Sequence, residues 1–253
     1  DIRKVYGAAV ERGLLDRGEA VSRLKNMKFG GFLLSRPDIA VECVTEDMSV
    51  KQGLFAGLER DLGRDCIVAT NTSCLSVEKL ASCLRRPGRF IGMHFFNPAY
   101  KMKLVEVVPT RFTDRVVLAS AIGFLRELRR IPVIVKDSPG FFVNRVLLPY
   151  LNEAVLMSEQ GVLPCDIERA MLGFGMPMGP FRLLEEIGPD VAYKASKALE
   201  RGLGGRFRAA EALKGPKQRR EAFRGAPGKP CSARAARAII RRLLRPMRRE
   251  AEL

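Results

Sequence analysis

The chain has 253 residues, 47% of them hydrophobic, and a formal net charge of +16. That length allows one large domain or two modest ones, and that apolar content suits a packed core. No apolar run approaches the about 18 residues a membrane span needs, which excludes a helical membrane protein on this reading.

The opening Asp1-Ile2-Arg3-Lys4 has neither an initiator Met nor an apolar leader, and reads as a fragment or an incomplete gene model. Residues 1–36 show a loose helical spacing from Ala8 to Leu24, interrupted at Gly30-Gly31. From Pro37 the pattern sharpens. Ile39 to Val44 predicts a buried strand, and Val50, Leu54, Leu58 and Leu62 fall at helical spacing. Cys66 to Thr70 predicts a second strand. Ser76 predicts a cap for a helix carrying Val77, Leu80, Ala81 and Leu84. Phe90 to Phe95 is a third strand and Leu104 to Val108 a fourth. A helix over 114–130 and a strand over Ile131 to Val135 follow. Strand, helix, strand, helix, strand over the first three strands implies parallel pairing with helices over the sheet.

Ser138 as N-cap and Pro139 as first helical residue predict a long helix running to about Gln160. Beyond Gly161 the chain reads as helical with Gly/Pro breaks. The predicted fold class is α/β: an incomplete Rossmann-like doubly wound sheet followed by an all-helical domain. The predicted boundaries are 1–137 for the sheet domain, 138–213 for the helical domain and 214–253 for a basic tail. Residues 201–253 hold 16 Lys/Arg against 4 Asp/Glu, a net +12, while the first 200 residues net only +4. The tail is Arg-, Ala-, Gly- and Pro-rich, which predicts a solvated or disordered segment, with a short basic helix over Ala235 to Leu244 as the exception. No internal repeat is evident.

His94 is the only histidine. Histidine alone ordinarily trades a proton near neutral pH, so one placed where a strand breaks into Asn97-Pro98 is a candidate proton acceptor. Glu106 lies 12 residues on, flanked by Val105, Val107 and Val108. A carboxylate in an apolar strand needs a partner. Beside an imidazole it would fix the ring's orientation and favour its charged form. Ser73 follows the second strand and Asn144 opens the long helix. Ser73 and His94 both fall at strand carboxyl ends, where parallel sheets bind ligands. Each also has a plain structural reading, Ser73 as a turn cap and Asn144 as a local helix-start bond. Cys43, Cys66, Cys74, Cys83, Cys165 and Cys231 follow no CxxC or metal-ligand spacing. They predict reduced thiols inside a cell and, with one histidine, argue against a metal site.

Several motifs resemble one family. They are Asn71-Thr72-Ser73, Gly92 to Pro98 (GMHFFNP), Met102 to Val107 (MKLVEV), Lys136 to Arg145 (KDSPGFFVNR), Pro149 to Ala154 (PYLNEA) and Gly175 to Phe181 (GMPMGPF). In this order they resemble the L-3-hydroxyacyl-CoA dehydrogenases, over roughly residues 37–208; the last loop is similar to the helical domain of the large multifunctional fatty-acid oxidation enzymes. The resemblance implies NAD-dependent oxidation of an L-3-hydroxyacyl-CoA to the 3-ketoacyl-CoA in β-oxidation. It implies His94 as catalytic base and Glu106 as its orienting partner. It implies substrate contacts from Ser73, Asn97 and Asn144, and NAD contacts from Glu46, Lys51, Asn71, Ser73 and Asn97.

Nothing before Asp38 matches the G-x-G-x-x-G turn whose backbone amides hold a dinucleotide pyrophosphate. The expectation is that the first strand and helix of that domain lie upstream of residue 1, with Asp1 a candidate for the acidic residue on the adenosine ribose. The alternative is a non-catalytic relic that keeps the fold without a working cofactor loop. The expected partners are an acyl-CoA and either a second copy or a multifunctional complex. The expected setting is intracellular: cytoplasm, mitochondrion or peroxisome. A nucleic-acid role for the basic tail finds no zinc-finger or aromatic-interleaved motif to support it.

Overall fold

The fold is known from a computed structural model that describes residues 2–28, 30, 37–215 and 233–251. The readings that involve Asp1, Gly31, Cys231 and residues 216–232 lie outside the described residues. The chain divides into two units, residues 1–37 and 38–253.

The first unit holds helices α1 (Ile2–Glu11) and α2 (Arg17–Lys25). The spacing from Ala8 to Leu24 predicts one continuous helix here. The chain breaks it at Gly13, whose φ of +66° glycine adopts at little cost. Asp16 then restarts it, its carboxylate accepting from the amides of Gly18 (2.7 Å) and Glu19 (3.1 Å).

The second unit opens with β1 (Ile39–Glu42), α3 (Met48–Asp61), β2 (Ile67–Thr70), α4 (Val77–Ala81) and β3 (Phe90–Phe95). It continues with β4 (Leu104–Val108), α5 (Arg115–Glu127) and β5 (Ile131–Ile134). The sheet order is β1-β2-β3-β4-β5. β1, β2 and β3 are mutually parallel, β4 runs antiparallel to β3, and β5 is parallel to β4. Two right-handed crossovers in one direction put α3 and α4 on one face. Once β4 reverses direction, the same handedness carries α5 to the other.

The side-chain alternation of the strands agrees. Val68, Phe90 and Val108 pack with Phe55, Val77 and Leu80 of the α3/α4 layer. Ile67, Ala69, Ile91, Met93, Val105 and Val107 pack with Val117, Ala121 and Leu125 of α5. His94 and Glu106 share the parity of Phe90 and Val108, so both belong to the α3/α4 face. Gly92, on that face, lets the layers close: a Cβ there would stand 2.9 Å from Val108 Cβ and 3.0 Å from Val77 Cγ2.

The rest is helical: α6 (Val143–Glu159), α7 (Pro164–Phe174), α8 (Pro180–Ile187), α9 (Pro189–Leu203) and α10 (Ala233–Ala251). Two expectations are corrected here. Ser138 and Pro139 do not start α6, which begins at Val143. Gly140 (φ +74°) and Phe141 (φ +49°) intervene in the left-handed region and form a turn that no helix contains. Nor is the whole basic tail solvated and irregular. Residues 233–251 form a helix whose Ile239 and Leu243 are buried in the helical core, with Ala236, Ile240, Leu244 and Met247 packed on it. Apolar side chains three and four apart made that stripe, and the surrounding arginines obscured it.

Candidate active site

β3 and β4 set His94 and Glu106 directly opposite each other in the antiparallel register. Side chains paired this way on one face lie within reach of each other. His94 Nδ1 is 2.8 Å from Glu106 Oε2, and both residues are buried. A carboxylate only accepts, so Nδ1 is assigned as the donor and Nε2 is left as the nitrogen able to take a proton. The ring lies against Phe96, 4.5 Å between centroids, and Phe141, 5.8 Å.

The other oxygen of Glu106 does separate work. Glu106 Oε1 accepts from the amides of Phe142 (3.0 Å) and Val143 (2.8 Å). Those amides open α6, which has no side-chain cap of its own. The carboxylate meets two of the orphan donors that every helix start leaves, at the end of the helix dipole that favours negative charge. One buried carboxylate therefore holds the imidazole and the first turn of the helical region together. Without these three bonds its burial would be costly.

A second network approaches the same turn. Asn144 Nδ2 donates to the carbonyl of Ser73 (3.2 Å). Glu46 Oε1 accepts from Thr72 Oγ1 (2.6 Å) and from the amides of Ser73 (2.8 Å) and Cys74 (3.0 Å). Lys51 is 1% exposed, its Nζ 2.6 Å from Glu42 Oε1 and 3.6 Å from Glu46 Oε2. Glu42 also accepts from Thr70 Oγ1 (2.7 Å) and from the Val44 amide (2.6 Å). Asn71 Oδ1 accepts from the Phe95 amide (2.8 Å), pinning the loop after β2 to the end of β3. Asn97 is exposed in the turn beyond His94, at a cis Asn97-Pro98 peptide.

The sequence-predicted residues thus fall into two bonded groups, His94 with Glu106 and Lys51 with Glu46, Ser73 and Asn144; Asn71 ties the loop of the second group to β3. Asn97 stands apart in its turn. Glu42, Thr70, Thr72 and the Phe142 and Val143 amides were missed. Glu42 offered a signal, since a carboxylate closing an apolar strand needs a cation and Lys51 is nine residues on. The amides offered none, because a helix cap supplied from another strand is a tertiary fact. Burial, reinforced by Glu46, pushes the Cys74 thiol up to about 12.

The strand carboxyl ends are where a dinucleotide would lie. Asn71 and Ser73 stand in the loop after β2, at such an end, while Glu46 and Lys51 are engaged with protein partners. The helix starts that follow β1 and β2 are capped by carboxylates of the chain itself. Asp47 caps α3, accepting from the Val50 amide at 3.0 Å, and its bonds with Ser49 and Val50 hold its carboxyl below the ordinary value. Asp137 covers the start of α4, accepting from Ser76 Oγ (2.9 Å) and from the amides of Val77 (3.2 Å) and Glu78 (2.8 Å). These carboxylates meet the open amides at the starts of α3 and α4.

Comparison with known proteins adds four findings. The family model for the 3-hydroxyacyl-CoA dehydrogenase NAD binding domain matches residues 1–138, and that for the C-terminal domain matches residues 140–222. The chain is 37% identical over 210 residues to the fatty acid oxidation complex subunit alpha of Vibrio vulnificus, covering 81% of this chain and 29% of the relative. The corresponding subunit of Shewanella frigidimarina is 41% identical over 176 residues, 70% of this chain and 25% of the relative. Among solved structures, the (S)-3-hydroxybutyryl-CoA dehydrogenase of Ralstonia eutropha superposes with a TM-score of 0.78 at 33% identity, over 83% of this chain and 76% of that one. The chain therefore spans less than a third of the length of the curated relatives it matches.

Proposed function

The chain belongs to the 3-hydroxyacyl-CoA dehydrogenase family, and from that premise we propose that it oxidises an L-3-hydroxyacyl-CoA to the 3-ketoacyl-CoA in fatty-acid β-oxidation. The observation that carries this reading is the buried His94–Glu106 contact of 2.8 Å, made by a carboxylate that also caps α6. His94 Nε2 takes the proton of the 3-hydroxyl: that O–H bond breaks and an N–H bond forms. Glu106 keeps Nδ1 as donor and steadies the positive charge the ring acquires. NAD, when bound, supplies the hydride acceptor for C3. Ser73, Asn97 and Asn144 are our candidates to hold the substrate, and Glu46, Lys51, Asn71, Ser73 and Asn97 to hold the nicotinamide end. In this reading Lys51 and Glu46 act mainly by shaping the loop around Ser73, since both are already engaged with protein partners.

The relatives are subunits of a fatty acid oxidation complex, which supports this chain as the dehydrogenase portion of a multifunctional protein working inside the cell. A second reading is a fold that keeps the proton-transfer pair but holds no cofactor; it is favoured by the lack of a G-x-G-x-x-G turn before Asp38. Calorimetric titration with NADH separates the two. Saturable binding, with NADH formed when NAD and a 3-hydroxyacyl-CoA are supplied together, is expected for the enzyme. A flat titration would leave the relic.

A further inference from the structure

The basicity of this chain is concentrated at one end, and the fold gives part of that end a defined shape. Residues 201–253 net +12, against +4 for the first 200. α10 carries seven of those cations, all arginine and none lysine. Six of them, Arg234, Arg237, Arg241, Arg245, Arg248 and Arg249, are exposed. At about 100° per residue they fall within roughly 120° of arc, a single stripe along the helix. From Arg234 to Arg249 the stripe runs about 22 Å, at about 1.5 Å per residue.

Nothing along that stripe cancels its charge. The one acidic residue of α10, Glu250, is buried on the opposite side of the helix. Among the described residues no acidic side chain pairs with any of the six, whereas Arg242, at the margin of the stripe, pairs with Glu153. Like charges three and four residues apart repel and weaken a helix. Ile239 and Leu243, buried in the helical core, hold α10 in place despite them. The arginines therefore stand in a rigid row, facing outward.

Three observations choose the partner. The apolar face of α10 is in the core, so none is left to sink into a lipid interface, which is how amphipathic helices hold membranes. The charges are all guanidinium, whose fork matches phosphate oxygens two at a time and is less strongly hydrated than an ammonium. α10 has no aromatic residue on which an unpaired base could stack. A straight row of cations without stacking groups fits a stiff duplex, which carries one negative charge about every 1.7 Å along its axis.

We propose that the outer face of α10 is a docking surface for double-stranded nucleic acid, held through backbone phosphates without regard to base sequence. The basic end has no zinc-finger or aromatic-interleaved motif, and contact of this kind needs none, because phosphate contacts carry no sequence information. The inference stands on α10 alone and does not depend on the proposed activity.

The test is a fluorescence-anisotropy titration of a short labelled DNA duplex of mixed sequence with the full chain, over a range of salt. The slope of log K against log salt should approach about −5, as for six phosphates neutralised, and a duplex of unrelated sequence should bind equally. Replacing three of the exposed arginines together, Arg237→Gln, Arg241→Gln and Arg245→Gln, should cut the slope to about half and weaken binding by at least about tenfold at about 0.1 M salt. Lysine at the same three positions should keep the slope, which ties the loss to charge rather than to folding. An unaltered chain that does not bind the duplex overturns the proposal. So does a slope that the glutamine variant leaves unchanged, which would place the contact elsewhere in the basic end, or a lysine variant that loses it. Strong preference for one duplex sequence overturns it as well. So does binding to phosphatidylserine vesicles at salt where the duplex is released, which would assign the stripe to a lipid surface.

Discussion

Glu106 has two oxygens with two duties, and it explains why His94 is held as it is. Oε2 fixes the imidazole while Oε1 fixes the start of α6, so the ring's position is tied to the turn that also presents Asn144. The carboxylate was legible as a partner for His94 because a buried acid beside valines demands one. Its second duty was not, since its acceptor role joins residues 36 and 37 positions apart. Cys74 gives a separate test at this scale. With its thiol pushed up to about 12 by burial and by Glu46, the thiolate fraction near neutral pH falls about a thousandfold below that of an ordinary thiol. The sign is plain: a raised thiol pKa means less thiolate at a given pH. Mass-spectrometric mapping of iodoacetamide labelling near neutral pH should find Cys74 modified far more slowly than an unstructured cysteine peptide. Labelling at the peptide's rate would contradict its burial.

At the scale of elements, the strands were readable because each is a short apolar run between turn residues, and α4 because Ser76 does cap it, accepting from the Lys79 amide at 3.2 Å. The start of α6 misled because Ser138-Pro139 carries a helix-start pattern that two left-handed residues then interrupt. The reversal of β4 follows from its connection: residues 96–103 carry no helix and are too few for the crossover that a parallel neighbour of β3 would need. Its consequence is chemical, since only the antiparallel register sets Glu106 across from His94. The close approach of β3, β4 and α4 rests on Gly92. Gly92→Ala would drive a methyl into Val108 and Val77, and overpacking of this kind costs about 1–3 kcal/mol. Urea unfolding should show a lower midpoint; an unchanged midpoint would mean the layers are looser than their contacts indicate.

For the molecule as a whole, composition sets an ordinary body apart from a basic end, but part of that end is a packed helix rather than a solvated segment. Arginine lowers mean hydropathy whether or not an apolar stripe runs beneath it, and Ile239 and Leu243 are buried in the helical core despite their neighbours. The whole-molecule claim is that one imidazole, steered by one carboxylate across two strands, accepts the substrate's hydroxyl proton. General-base help of this kind contributes about 10²–10⁴-fold. The most direct measurement is the kcat of NADH formation from a 3-hydroxyacyl-CoA by the full chain and by its His94→Ala variant, with acyl-CoA affinity measured alongside. Turnover should fall by about 10²–10⁴-fold while affinity for the acyl-CoA is kept. Turnover that survives loss of the imidazole, or an unaltered chain that forms no NADH, would contradict it.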